Sequence, residues 1–246
     1  MNQITQKIHQ KIREKKSNLC ISLDYTECQK ILDVVELVKD SIIMIKLHID
    51  IIEDFTPSFM EELVKLTEEN GILILEDRKF ADIGHIFQKQ FTGGLYKIQS
   101  WCHLITLHAL VGPGPLQAFE KCSNLEKQGI LLIGQMSNSG NWLDTQYHSQ
   151  TLWLARLYPK LVSGFISQNR NFERDESFLQ FTPGVNRNIV EDKLDQRYKT
   201  PSQAIEDGAD VIIVGRGITG SYDVKKEAEI YRKMAWEKYV EIGHNI

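Results

Sequence analysis

The stretch Ile72-Leu73-Ile74-Leu75-Glu76-Asp77-Arg78-Lys79-Phe80-Ala81-Asp82-Ile83-Gly84 passes without a break from four apolar residues into a block dense in charge. The apolar part is too short for a helix and reads as a buried strand. The charged part begins where that strand ends and leads towards a helix-like segment. Seven other short apolar runs punctuate the chain: Leu19–Leu23, Ile42–Leu47, His103–Leu107, Ile130–Gln135, Val162–Ile166, Leu179–Thr182 and Val211–Val214. Several are rich in β-branched residues, as strands are. Continuous apolar character, rather than alternation, suits parallel strands whose outer face is covered.

Helix-like segments separate most of these runs. Thr26–Asp40 places Ile31, Val34, Val35 and Val38 on one face. Ser58–Asn70 follows Pro57, a natural first-turn residue, and stops before Gly71. Asp82–Thr92, Gly114–Asn124, Thr151–Tyr158, Pro201–Asp207 and Val224–Tyr239 continue the pattern, and Gln3–Lys15 precedes the first strand. Eight strands alternating with helices predict an α/β fold, a (β/α)8 TIM barrel. Residues 1–246 are expected to form one domain, with residues 1–16 as an N-terminal helical extension. A doubly wound open sheet is the alternative. No G-x-G-x-x-G follows the first run, which weakens its dinucleotide-binding form.

Composition narrows the function. The 246 residues carry 29 Lys and Arg against 33 Asp and Glu, a net charge of −4, with 42% hydrophobic and 25% charged residues. That is an ordinary folded composition. It excludes a disordered chain and a broad basic surface for a nucleic-acid polymer. No apolar run approaches the roughly 20 residues of a membrane span, and Met1–Lys16 has no apolar signal core. No membrane association is expected, and a cytoplasmic location is. Cys20, Cys28, Cys102 and Cys122 form no C-x-x-C pair and read as reduced core thiols. The histidines show no zinc-site spacing with them, so no metal site is expected.

In a barrel of this kind, chemistry gathers where strands end. The first run ends in Ser22-Leu23-Asp24, the second in Lys46-Leu47-His48-Ile49-Asp50, the fifth in Gln135-Met136-Ser137. The seventh leads to Phe181-Thr182-Pro183-Gly184-Val185 and the eighth to Val214-Gly215-Arg216-Gly217. Singly, each has a plain explanation. A lysine after a strand is commonly a solvated rim residue, an aspartate before a helix favours its N-terminus, and Thr-Pro-Gly is a turn. Their joint occurrence at successive strand ends is what points to a site.

Together with the Glu76–Gly84 block, these motifs resemble orotidine 5′-phosphate decarboxylase, from about Ser17 to Tyr239. The wording is similar to the eukaryotic-type branch, including the decarboxylase half of bifunctional uridine 5′-monophosphate synthase. On the length of 246 residues, the transferase domain that bifunctional relatives carry is not expected. The resemblance implies conversion of orotidine 5′-monophosphate to uridine 5′-monophosphate and carbon dioxide in pyrimidine biosynthesis, without a cofactor. It implies an alternating array of Lys46, Asp77, Lys79 and Asp82, with Lys79 as the proton donor to C6. It places Asp24, Lys46 and His48 at the ribose, Ser137 at the pyrimidine edge and Pro183 on the base wall. It places Gln196, Tyr198, Gly215 and Arg216 at the phosphate, and carries Ile83, within Asp-Ile-Gly, as a substrate contact. It also implies a homodimer in which Asp82 reaches the neighbouring subunit's site. The loop Asn186–Lys199 would close over the ligand.

Two positions depart from the family pattern. Leu47 and Ile86 stand where threonine is usual, the second costing one ribose hydrogen bond, about 1 kcal/mol. Two other readings compete. One is a related barrel decarboxylase or isomerase that recruits magnesium to act on a sugar phosphate. The other is a non-catalytic nucleotide-binding scaffold, against which the intact charged array argues.

Overall fold

A computed structural model of the chain describes residues 1–169, 177–188 and 198–243. Helix α1 (Gln3–Lys15) leads into β1 (Leu19–Ser22), followed by α2 (Cys28–Val38), β2 (Met44–Leu47), α3 (Pro57–Glu69) and β3 (Leu73–Phe80). Then come α4 (Gly84–Thr92), β4 (Leu104–His108), α5 (Gly114–Cys122), β5 (Gly129–Ile133), α6 (Thr145–Leu157) and β6 (Val162–Ile166). β7 (Leu179–Thr182), α7 (Pro201–Glu206), β8 (Val211–Val214), α8 (Arg216–Thr219) and α9 (Val224–Glu241) complete the series. The strands form a closed barrel in chain order, all parallel, with β1 pairing β8. The expected barrel is therefore the observed fold. Among the described residues no helix is long and apolar enough to cross a membrane.

Most strands are buried along their whole length, as the unbroken apolar runs required. Their side chains fill the barrel on one face and meet the helices on the other. Close packing fixes some glycines. A Cβ at Gly164 would lie 2.0 Å from the Leu179 carbonyl oxygen across the β6–β7 seam. Helix α1 closes the N-terminal end of the barrel. Its Ile4, Ile8 and Ile12 are buried, and Asn2 both caps it, through Oδ1 to the Thr5 N–H, and donates to Ser163 Oγ at 3.0 Å.

The short helix α8 stands outside the expected series, and three expected elements differ most from their bounds. β3 does not stop at Leu75 but runs on to Phe80, carrying the charged block within the sheet. Helix α6 starts at Thr145, six residues before the expected Thr151, because Asp144 Oδ1 caps the Tyr147 N–H. Its first two turns are polar and bury little, so periodicity alone sees only the second half. Helix α4 begins at Gly84, with Ile83 as its cap, so Asp82 lies outside the helix it was expected to open.

Candidate active site

The C-terminal ends of the strands surround a cavity of about 360 Å³. β1 contributes Ser22 and Asp24 just beyond it; β2 contributes Lys46 and, beyond it, His48; β3 contributes Asp77 and Lys79. Parallel register sets this side as far as Leu75: Ser22 pairs with Lys46 and Lys46 with Leu75, so these three share the inward face, and Asp77 and Lys79 beyond them reach the same cavity.

Lys46 is only 6% exposed, so the solvated-rim reading fails for it. Its Nζ lies 3.1 Å from Asp77 Oδ2, 3.6 Å from Asp24 Oδ1 and 2.7 Å from His48 Nε2. Lys79 Nζ donates to the same Asp77 Oδ2 at 2.7 Å. One carboxylate oxygen thus bridges two ammonium groups. Burial by itself would push the Asp77 carboxyl up, but Lys46, Lys79 and His48 together outweigh it and bring it down to about 2. Asp77 is therefore a fixed negative charge. Burial, and next to it the Lys46 charge, pushes the His48 imidazole below its ordinary range. A neutral His48 then accepts from Lys46 through Nε2, and its 3.5 Å approach to Asp77 Oδ2 is that of two acceptors sharing one ammonium.

The wall beyond β5, β7 and β8 is built differently. Gly215 and Arg216 follow β8, and Arg216 Nη2 donates to the Tyr198 hydroxyl at 2.6 Å. Gly217 must lack a side chain, since a Cβ there would sit 2.3 Å from the Tyr231 hydroxyl. Pro183 and Gly184 follow β7, with Gly184 at φ +72°, and Ser137 follows β5. The stem of the β7–α7 connection is tied by an Asn186 N–H bond to the Lys199 carbonyl and by an Arg187–Glu227 ion pair.

The cavity thus brings together Asp24, Lys46, His48, Asp77, Lys79, Ser137, Pro183, Tyr198, Gly215 and Arg216. Asp82 and Ile83 are not among its walls; Ile83 is 60% exposed on the rim. Gln196 lies outside the described residues. Leu47, one of the two departures from the family pattern, is buried beside Glu76 on the outward face of the sheet and does not touch the cavity. Glu76 is fully buried there, its carboxyl pushed well up by burial although both oxygens accept from the Ile49 N–H.

Several wall residues escaped the reading of the sequence. Ile166 and Ile213 close the floor from β6 and β8, and Met136 and Asn138 flank Ser137. The period-two rule marks Ile213 as inward only once a register with β1 is known, where it pairs with Cys20.

Residues 17–231 match the family described as orotidine 5′-phosphate decarboxylase / HUMPS. The chain is 41% identical over 230 residues to the orotidine 5′-phosphate decarboxylase of Aureobasidium pullulans, covering 93% of this chain and 85% of that protein. It is 38% identical over 238 residues to the uridine 5′-monophosphate synthase of Bos taurus, covering 96% of this chain but only 49% of that longer protein. Among solved structures it superposes on the orotidine 5′-monophosphate decarboxylase of Methanocaldococcus jannaschii, complexed with inhibitor BMP, with a TM-score of 0.67. That match covers 89% of this chain and 98% of the other at 23% identity, a likeness of fold. Extended similarity of sequence and the same barrel lead to one conclusion: the chain belongs to the orotidine 5′-phosphate decarboxylase / HUMPS family.

Proposed function

We propose that this chain converts orotidine 5′-monophosphate to uridine 5′-monophosphate and carbon dioxide, a step of pyrimidine biosynthesis. The observation that carries the reading is the Lys46–Asp77–Lys79 cluster in one cavity with Arg216 and Tyr198. Loss of carbon dioxide from C6 leaves an electron pair in an sp² orbital that the pyrimidine π system cannot absorb. The reaction then needs fixed positive charge at C6 and a proton for it, with no cofactor as electron sink. The Lys79 ammonium supplies both. Asp77 stays ionised and sets the position of Lys79, and it faces the substrate carboxylate until that group leaves.

Charges about 4 Å apart interact by roughly 4 kcal/mol at an effective dielectric near 20, while enzymes lower barriers by about 8–23 kcal/mol. Binding energy from the distant phosphate must therefore contribute to the chemical step. Arg216 offers a planar cation for that dianion and Tyr198 a hydroxyl; Gln196 is assigned beside them from the family pattern. Asp24 and His48 face the ribose, Ser137 the base edge and Pro183 its flat side.

Asp82 and Ile83, outside their own chain's cavity, are assigned to the site of a second copy. The functional unit is then a homodimer with shared sites. The four free cysteines, three of them buried, fit a reducing compartment, and the cytoplasm is assigned on that ground.

The test is an ultraviolet assay of orotidine 5′-monophosphate consumption, run without added metal and repeated in excess chelator. Undiminished turnover in chelator is the expected result. Turnover that disappears with chelator and returns with magnesium would transfer the chain to the metal-assisted sugar-phosphate branch of the fold.

A further inference from the structure

The β3–β4 seam contains an irregularity at the site itself. Glu76 pairs with Ile105 and Phe80 with Leu107, so three residues of β3, 77–79, stand opposite one residue of β4, Thr106. Such a bulge re-aims side chains and breaks the ladder of backbone hydrogen bonds. Lys79 also sits at φ +51°, a left-handed conformation that costs energy for any residue with a Cβ. Two other described non-glycine residues share that conformation. Lys16 ends helix α1 and Lys97 precedes a short 3-10 turn; Lys79 alone lies inside a strand.

What holds this segment is a hydroxyl. Thr106, fully buried, accepts the Lys79 backbone N–H at 2.9 Å and donates its own O–H to Asp77 Oδ1 at 2.8 Å. The two oxygens of Asp77 are thereby divided. Oδ1 is taken by Thr106, and Oδ2 is left facing Lys46 and Lys79. Without the hydroxyl, the Lys79 N–H would lose that acceptor and the carboxylate could rotate about its last bond.

We propose that Thr106 is a positioning residue for the reaction, holding the strained Lys79 backbone and the Asp77 carboxylate in one orientation towards the substrate. This rests on the decarboxylase reading for its effect on rate, but not for its effect on the backbone. Thr106 touches no reacting atom; it acts through the two residues that do.

Thr106→Val keeps the shape and removes the hydroxyl, and Thr106→Ser restores it. In the valine variant kcat should fall roughly ten- to hundredfold, the range for a hydrogen bond to a charged group, with KM changed by no more than about threefold. The serine variant should recover to within about threefold of the parent rate. In ligand-free protein, hydrogen exchange at the Lys79 amide should be fast in Thr106→Val and slow in the parent and in Thr106→Ser. Thr106→Ala serves the same comparison if the valine variant does not fold. A valine variant with parental kcat and a slowly exchanging Lys79 amide would overturn the proposal. So would a loss of kcat that follows thermal stability and that serine does not rescue. If the parent protein does not consume orotidine 5′-monophosphate, the decarboxylase reading fails, and the amide exchange still decides for or against Thr106.

Discussion

The two ends of this barrel are made from the same eight strands and are opposite in character. At the C-terminal end, Lys46, Asp77 and Lys79 share one carboxylate oxygen, Lys79 has a left-handed backbone, and β3 bulges against β4. At the N-terminal end, α1 lies across the opening with Ile4, Ile8 and Ile12 buried, and the polar atoms that join it to β6 are paired. The first end concentrates charge and strain; the second is closed by apolar packing, although His9 Nε2 on α1 and both side-chain amide atoms of Asn18 before β1 are buried without a hydrogen-bond partner among the described residues. Strain at one end is tolerable because the remainder of the closed sheet over-determines the chain path. Changes at the two ends should therefore fail in different ways.

The largest separation is expected from Lys79→Ala. Its turnover should fall by at least about a thousandfold, since both charge stabilisation and the proton are lost, while binding of uridine 5′-monophosphate stays detectable. Mixed with an equally inactive Asp82→Ala variant, it should regain part of the activity through one intact shared site. Decarboxylation by Lys79→Ala near the parental rate would remove Lys79 from the chemistry. No recovery on mixing, with subunit exchange demonstrated, would return Asp82 to its own chain.

Ile8→Ala probes the other end. Deleting a fully buried isoleucine side chain should cost about 2–5 kcal/mol of stability in denaturant unfolding. The rate per folded enzyme should be unchanged. A fall in kcat with stability preserved would break the division between the two ends.

The smallest effect concerns pH. His103, just before β4, accepts the Ile74 N–H through Nδ1. Burial first, then Lys7 and Lys127, hold its imidazole down at about 4 against an ordinary value of 6.5. As pH falls from about 6.5 to 4, the unfolded chain takes up a proton at His103 that the folded chain refuses, so the His103 contribution should lower stability by a few kcal/mol across that window. Asp77 keeps its charge there, because its carboxyl titrates at about 2. His103→Gln should flatten the dependence of unfolding free energy on pH between 7 and 4.5. An unaltered slope would place the acid sensitivity elsewhere.

Much of the fold was legible because each strand announces itself locally. Val162–Ile166, Leu179–Thr182 and Val211–Val214 are strands with the bounds their apolar runs suggest. Helix α1 has the expected ends, and Thr56 and Pro57 open α3 as a cap and first-turn pair. Helix α6 was half hidden, because its start depends on a cap rather than on an apolar face. The candidate site was legible as residue types at strand ends, with Lys46, Asp77, Lys79 and Arg216 all reaching one cavity. Leu47 and Asp82 show the limit. One faces away from the cavity and the other lies off its walls, and neither fact follows from standing beside a motif residue.

By itself, then, the sequence determined where the eight strands and most of the helices lie, that the sheet is parallel and covered, and which charged groups stand at strand ends. These are consequences of local periodicity and of burying apolar runs. Only the tertiary structure decided that two lysines converge on one oxygen of Asp77, that three residues of β3 face Thr106 alone, and that Glu76 is buried outside the barrel. Those are matters of register between neighbouring strands. Register comes from packing residues far apart in the chain, and no single strand contains it.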